Sequence, residues 1–161
     1  RNKDETTLEA SKRLLEVAPN PKSLLVLSTK EIEKLIFPVG FYKTKAKHLK
    51  KLAEVLLQNK SRIPNTREEL MSLPGVGRKT ANLVLNRAFE KPAIAVDTHV
   101  HKITNLLGWV NTKSPEQTEK ELVKILPKKY WSDMNRLFVS IGRQHTTQKS
   151  LIRFLEENKL L

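Results

Sequence analysis

The stretch Leu73-Pro74-Gly75-Val76-Gly77-Arg78-Lys79-Thr80-Ala81 constrains this chain more than any other. Helical patterns flank it on both sides. Thr66 and Glu69 have the spacing of a capping box, which opens a helix just upstream. Pro74 and Gly75 close that helix, because proline cannot continue the hydrogen-bond ladder and glycine accepts a left-handed backbone. Gly77 is expected to free the backbone again before a second helix starts at Arg78. There Ala81, Val84, Leu85 and Ala88 recur at helical spacing and give one apolar face. The reading is a helix, a tight turn and a helix over residues 66–89.

A turn of this kind has a chemical use. The amides of Gly75, Val76 and Gly77, with those opening the next helix at Arg78 and Thr80, are expected to point outward without partners. Free amides at the positive end of a helix suit a phosphate oxygen, and a glycine has no side chain to block its approach. A hairpin whose glycines serve only close packing is the other reading, and a short glycine motif does not choose between the two.

Ahead of the turn, Thr6 and Glu9 also have capping-box spacing. The helix behind them is expected to turn Leu8, Leu14, Leu15 and Ala18 inward until Pro19 and Pro21 end it. Ser28 and Glu31 open a short helix with Ile32, Leu35 and Ile36 apolar, stopped near Pro38. The turn Val39-Gly40-Phe41-Tyr42-Lys43-Thr44-Lys45 follows, then a helix with Leu49, Leu52, Ala53 and Leu56 inward. Aromatics beside cations can stack on bases while holding phosphates, although most aromatics go to a core. Lys43, Lys45 and Lys47 are expected in solvent, able to meet phosphate without reading sequence.

Behind the turn, Pro92 and the apolar run Ala93 to Val96 form an extended connector. Asp97 is placed to cap a helix carrying Val100, Ile103, Leu106 and Leu107. Ser114 and Pro115 start another, with Leu122, Ile125 and Leu126 as its buried stripe. Ser132 is expected to cap a helix with Met134, Leu137, Phe138 and Ile141 on one face. Leu151, Ile152, Phe154 and Leu155 mark a last one. No segment alternates with a period of two, so the fold class is all-α.

Charge narrows the partner. Thirty Lys plus Arg against 17 Asp plus Glu leave a net +13 on 161 residues. That excess points to a polyanion, with nucleic acid favoured over an acidic membrane, though a lysine-rich surface alone could produce it. No apolar run approaches the roughly 18 residues needed to span a bilayer. Without cysteine there are no disulfides and no thiolate metal sites, and no metal site is expected. His145 has no partner at ligand spacing and is read as structural or solvated.

The sequence Leu73 to Ala81, followed by Val96-Asp97-Thr98-His99, resembles the helix-hairpin-helix DNA glycosylases, and most closely the endonuclease III branch. The resemblance extends back through Val39 to Ala46 and forward through His99 to Trp109, so most of the chain takes part. It implies two helical lobes with a cleft between them: residues 1–93 ending in the hairpin, and 94–161. In relatives, helical sequence precedes the stretch matching residues 1–7, which implies a first lobe lacking an N-terminal helix, with Arg1 and Asn2 at the junction. Members commonly carry a four-cysteine iron–sulfur cluster near the C-terminus. Here the matching segment runs through His145 to Gln148 into the last apolar helix, so no cluster is expected and a packed amphipathic helix takes its place.

The resemblance also supplies chemistry. It makes Lys79 the amine nucleophile and Asp97 the carboxylate of a bifunctional DNA glycosylase and abasic-site lyase. A lysine suits the first role because its proton can be lost, whereas an arginine keeps its own. Arg78 beside Lys79 and the positive helix end are both expected to favour the neutral amine, and Asp97 is equally a good helix cap. Phe41 matches a loop that wedges into the gap left by an extruded nucleotide. His99 is a further candidate, which can serve the site or stabilise the lobe junction; His101 ranks below it. Oxidised pyrimidines are the implied lesion, 8-oxoguanine the rival lesion, and a non-catalytic DNA-binding module the rival from another class. A helical RNA-binding domain ranks last. The implied setting is a monomer on damaged or abasic duplex DNA, intracellular and off the membrane. The cofactor expectation is none, beyond a monovalent cation that hairpin carbonyls could hold.

Overall fold

Side-chain caps open six of the ten helices described. In a computed structural model that describes residues 4–161, the chain forms ten α-helices among the described residues and no strand. Arg1 and Asn2 lie outside the described residues. The chain divides into two compact units, one up to Val76 and one from Gly77 to Leu161.

The first unit holds α1 (Asp4–Val17), α2 (Pro21–Val26), α3 (Thr29–Ile36), α4 (Tyr42–Gln58) and α5 (Arg67–Met71). Asn20 caps α2 through a reciprocal box with Ser23, and Ser28 caps α3 through one with Glu31. Thr66 Oγ1 accepts from Glu69 N at 3.3 Å and opens α5. Two expectations fail in α1. Thr6 lies inside the helix and does not cap it. Its buried stripe is Ala10, Leu14 and Ala18, while Leu8 and Leu15 are exposed. Spaced four apart, Ala10, Leu14 and Ala18 give this stretch one face, which packs on α3 over a core of Ile32, Ile36, Val39 and Ala46.

The second unit holds α6 (Arg78–Ala88), α7 (Thr98–Leu106), α8 (Pro115–Ile125), α9 (Trp131–Gln144) and α10 (Gln148–Glu157). Its core gathers Ile94, Val96, Val100, Ile103, Leu122, Met134, Phe138, Leu151 and Leu155. The expected cap at Ser132 is absent: a 3-10 turn over Lys128–Tyr130 leads directly into α9, and Ser132 falls inside the helix. Ile125 and Leu137 are exposed, and α8 buries Thr118 and Glu119 beside Leu122. The unit begins before α6 rather than after it, earlier than the expected boundary at 93. The reason is local: α6 is fastened to the connector that follows it, as the site makes plain.

Candidate active site

The expected turn separates α5 from α6. Gly75 has φ +76°, which favours glycine, and a Cβ there would lie 2.9 Å from His48 Nδ1 and 3.0 Å from His48 Cβ. Gly77 differs from expectation. Its φ of −91° is ordinary extended backbone, and a Cβ would meet nothing within 4 Å. Nor are all the amides free, since Val76 N donates to Leu73 O at 3.1 Å and tightens the turn. The amides of Gly75 and Gly77 meet no acceptor among the described residues, and Thr80 is exposed in the first turn of α6.

Within the second unit, Lys79 and Asp97 come together. Lys79 Nζ lies 3.8 Å from Asp97 Oδ2, with the lysine side chain 46 % and the aspartate 14 % exposed. Asp97 Oδ1 accepts from His99 N at 2.9 Å and Val100 N at 3.0 Å, capping α7. One carboxylate oxygen is thus held by the helix end while the other faces the amine. At 3.8 Å the pair is an ion pair rather than a direct hydrogen bond.

The connector that delivers Asp97 is buried along its length, Ala93 to Val96 being at most 6 % exposed. Buried backbone carbonyls need donors, and asparagine side chains supply them. Asn86 Nδ2 donates to Ala93 O at 2.7 Å, Asn82 Nδ2 to Ile94 O at 2.9 Å and Asn135 Nδ2 to Ala95 O at 2.9 Å. Asn86 Oδ1 also accepts from Ala93 N at 2.9 Å. These asparagines were not among the expected site residues. A signal was present: Asn82 and Asn86 sit four apart inside a helix, where asparagine is a poor former without a second use.

The Arg78 side chain pairs with a carboxylate on α8. Its Nε lies 2.7 Å and its Nη2 3.3 Å from the two carboxylate oxygens of Glu119. Glu119 is 3 % exposed, so the charge beside Lys79 is already paired with a buried carboxylate. His99 is buried, and a Cβ at Gly142 would lie 2.7 Å from its Cγ and Cε1. Its ring is therefore wedged against α9. His101 Nδ1 joins Thr118 Oγ1 at 2.6 Å in a polar cluster with Asn105 and Thr112. His145 bonds Ser150 Oγ at 3.0 Å and stacks on Phe154.

In the first unit, Phe41 is 85 % exposed and left-handed at φ 58°. A bulky residue in that region is strained, and here its ring is presented to solvent. Lys45 Nζ lies 5.8 Å from the ring centroid and bonds Gly40 O, so it is not simply solvated; Lys43 is exposed. Tyr42 packs edge-on against Phe37 at 5.4 Å.

Helices around a glycine turn, with a lysine and a capping aspartate brought together behind it, define a class of protein. Residues 1–128 match the family model of the HhH-GPD superfamily of base excision DNA repair proteins. Endonuclease III of Thermotoga maritima is 46 % identical over 145 residues, covering 89 % of this chain and 68 % of that protein. Endonuclease III-like protein 1 of Gallus gallus is 42 % identical, over 88 % of this chain and 52 % of its own length, so the chain spans about half of that relative. A trapped endonuclease III–DNA covalent intermediate superposes with a TM-score of 0.84 at 39 % identity, over 90 % of this chain and 69 % of that one. The chain belongs to the endonuclease III family. The iron–sulfur cluster associated with that family does not fit these 161 residues, which contain no cysteine to supply a thiolate. No helix among the described residues is long and apolar enough to cross a membrane.

Proposed function

We propose that Lys79 is the nucleophile and Asp97 the carboxylate of a base-excision-repair DNA glycosylase and abasic-site lyase that removes oxidised pyrimidines from duplex DNA. The observation that carries the reading is the 3.8 Å approach of Lys79 Nζ to Asp97 Oδ2, with the amine accessible and the carboxylate fixed as a helix cap. An amine must give up a proton before it can attack, and an oriented carboxylate beside it accepts one. The Nζ lone pair then forms a bond to C1′ of the deoxyribose as the C1′–N bond to the damaged base breaks. The base departs with that electron pair and takes up a proton. Ring opening gives an imine between Lys79 and C1′. Removal of a proton from C2′ expels the 3′ phosphate by β-elimination, and water releases the lysine. Asp97 also offsets the positive charge that develops at the sugar.

Two further features support duplex DNA as the partner. The amides of Gly75 and Gly77 offer donors to a phosphate, and Phe41 with Lys43 and Lys45 offers an exposed ring among cations. The net charge of +13 gives both a favourable field. The test is borohydride trapping on a duplex with one thymine glycol, beside a duplex with one abasic site. A covalent adduct on both, lost in Lys79→Ala, is expected. Adducts on the abasic duplex alone would leave the lyase and redirect the search to 8-oxoguanine. Tight binding with no adduct on either would reduce the chain to a DNA-binding module.

A further inference from the structure

The pairing of Arg78 with Glu119 links the residue before the nucleophile to a different helix. Arg78 is the first residue of α6 and Lys79 the second. Glu119 sits in α8, 41 positions away in sequence, and both its oxygens face the guanidinium. A carboxylate that is 3 % exposed is costly to bury unless it is paired. The pairing is directional as well as electrostatic, because a guanidinium presents a planar fork to both oxygens. We propose that Glu119 is a positioning residue for Lys79, fixing the first turn of α6 through Arg78 so that the amine stands opposite Asp97. This rests on Lys79 being the nucleophile.

The geometry assigns Glu119 two tasks. It ties the N-terminal turn of α6 to α8, and α8 in turn packs on α7, whose cap is Asp97. Amine and carboxylate are therefore referred to one frame. It also holds the guanidinium charge on α8, where Arg78 does not compete with Lys79 for the Asp97 carboxylate. Neither task requires Glu119 to touch the substrate. A misplacement on the order of 1 Å at a reacting group can cost up to a hundredfold in rate.

The test uses the full chain and separates chemistry from binding. Glu119→Gln keeps the shape and removes the charge. Single-turnover formation of the borohydride-trapped adduct is measured on an abasic duplex, and affinity on a duplex carrying an unreactive tetrahydrofuran abasic analogue. The expected result is an adduct rate lower by about tenfold or more, with affinity within about twofold of the parent, because misplacement acts on the reacting geometry and not on the bound surface. A parent-like rate in Glu119→Gln, with Lys79→Ala giving no adduct, overturns the proposal and leaves Lys79 as the nucleophile. Parallel losses of rate and affinity also overturn it, by making Glu119 a general structural residue. Parent-like adduct in Lys79→Ala overturns the nucleophile itself, and the proposal with it. Should Glu119→Gln fail to fold, the apolar replacement Arg78→Met with Glu119→Met removes the buried charge while filling the space. The same rate loss is expected there, and a parent-like rate overturns the proposal.

Discussion

Replacing Phe41 separates what its backbone costs the fold from what its ring does on DNA. The ring is 85 % exposed. Taking about 2 kcal/mol for complete burial of a phenylalanine, its removal forfeits only a few tenths of a kcal/mol. The contact with Lys45 at 5.8 Å adds about 0.5 kcal/mol at an exposed site. Phe41→Ala should therefore lower stability by about 1 kcal/mol at most. Phe41→Gly loses the same contacts but escapes the left-handed penalty at φ 58°, about 1–2 kcal/mol for a residue with a Cβ. Glycine's larger backbone entropy takes back about 0.5–1 kcal/mol. Glycine should then exceed alanine by about 1 kcal/mol, or about 2–4 °C in Tm for a chain of this size. Thermal unfolding of the parent and both variants measures this directly. An alanine variant as stable as the glycine variant would refute the assignment of strain to this residue. Both variants lack the ring, so both should slow base removal from a thymine glycol duplex alike. Base–aromatic stacking of about 1–3 kcal/mol sets a loss of roughly five- to a hundredfold.

Asp97 divides the same way between cap and chemistry: Asp97→Asn keeps an acceptor for the amides of His99 and Val100, whereas Asp97→Ala loses about 1 kcal/mol of capping. Denaturant unfolding should separate the two variants, while adduct formation falls in both; a parent-like rate in Asp97→Asn would take the charge out of the mechanism. Gly142→Ala drives a methyl into the buried His99 ring and should cost about 1–3 kcal/mol by urea unfolding. Adding His99→Ala should recover part of that loss, and strictly additive costs would refute the proposed clash. The Ser28 hydroxyl and amide hold the Glu31 carboxyl below its ordinary pKa. The folded chain then binds that proton less readily than the unfolded chain, so the stabilisation is present above the ordinary carboxylate value and fades as pH falls through and below it. Glu31→Gln should flatten that part of the Tm–pH curve, and an unchanged slope would show the cap to be energetically silent.

Local chemistry was legible in the sequence, and long-range pairing was not. Ser28, Thr66, Asp97 and Ser114 all cap helices where their spacing placed them, because a cap and its partner amide lie within three residues. The same rule misled at Thr6, which lies inside α1, and at Ser132, where a 3-10 turn starts the helix earlier. Leu8 and Leu15 are expected inward, but α1 buries Ala10 and Leu14 and leaves both in solvent. Lys79 and Asp97 were named from a resemblance, and their separation needed coordinates. Arg78 was read from its immediate neighbour, Lys79. Its pairing with Glu119, on another helix, leaves no local trace.

The connector before Asp97 behaves as a strand whose neighbouring strand has been replaced by side chains. Its carbonyls at 93, 94 and 95 are each taken by a different asparagine, two from α6 and one from α9. This makes it a ruler of fixed length. Deleting or inserting one residue would shift the run by about 3.3 Å and turn every following side chain to the opposite face. The asparagines would then meet the wrong carbonyls, and Asp97 could not both cap α7 and face Lys79. Sequence change inside the connector is therefore limited to residue type, and a change in its length severs amine from carboxylate without touching either.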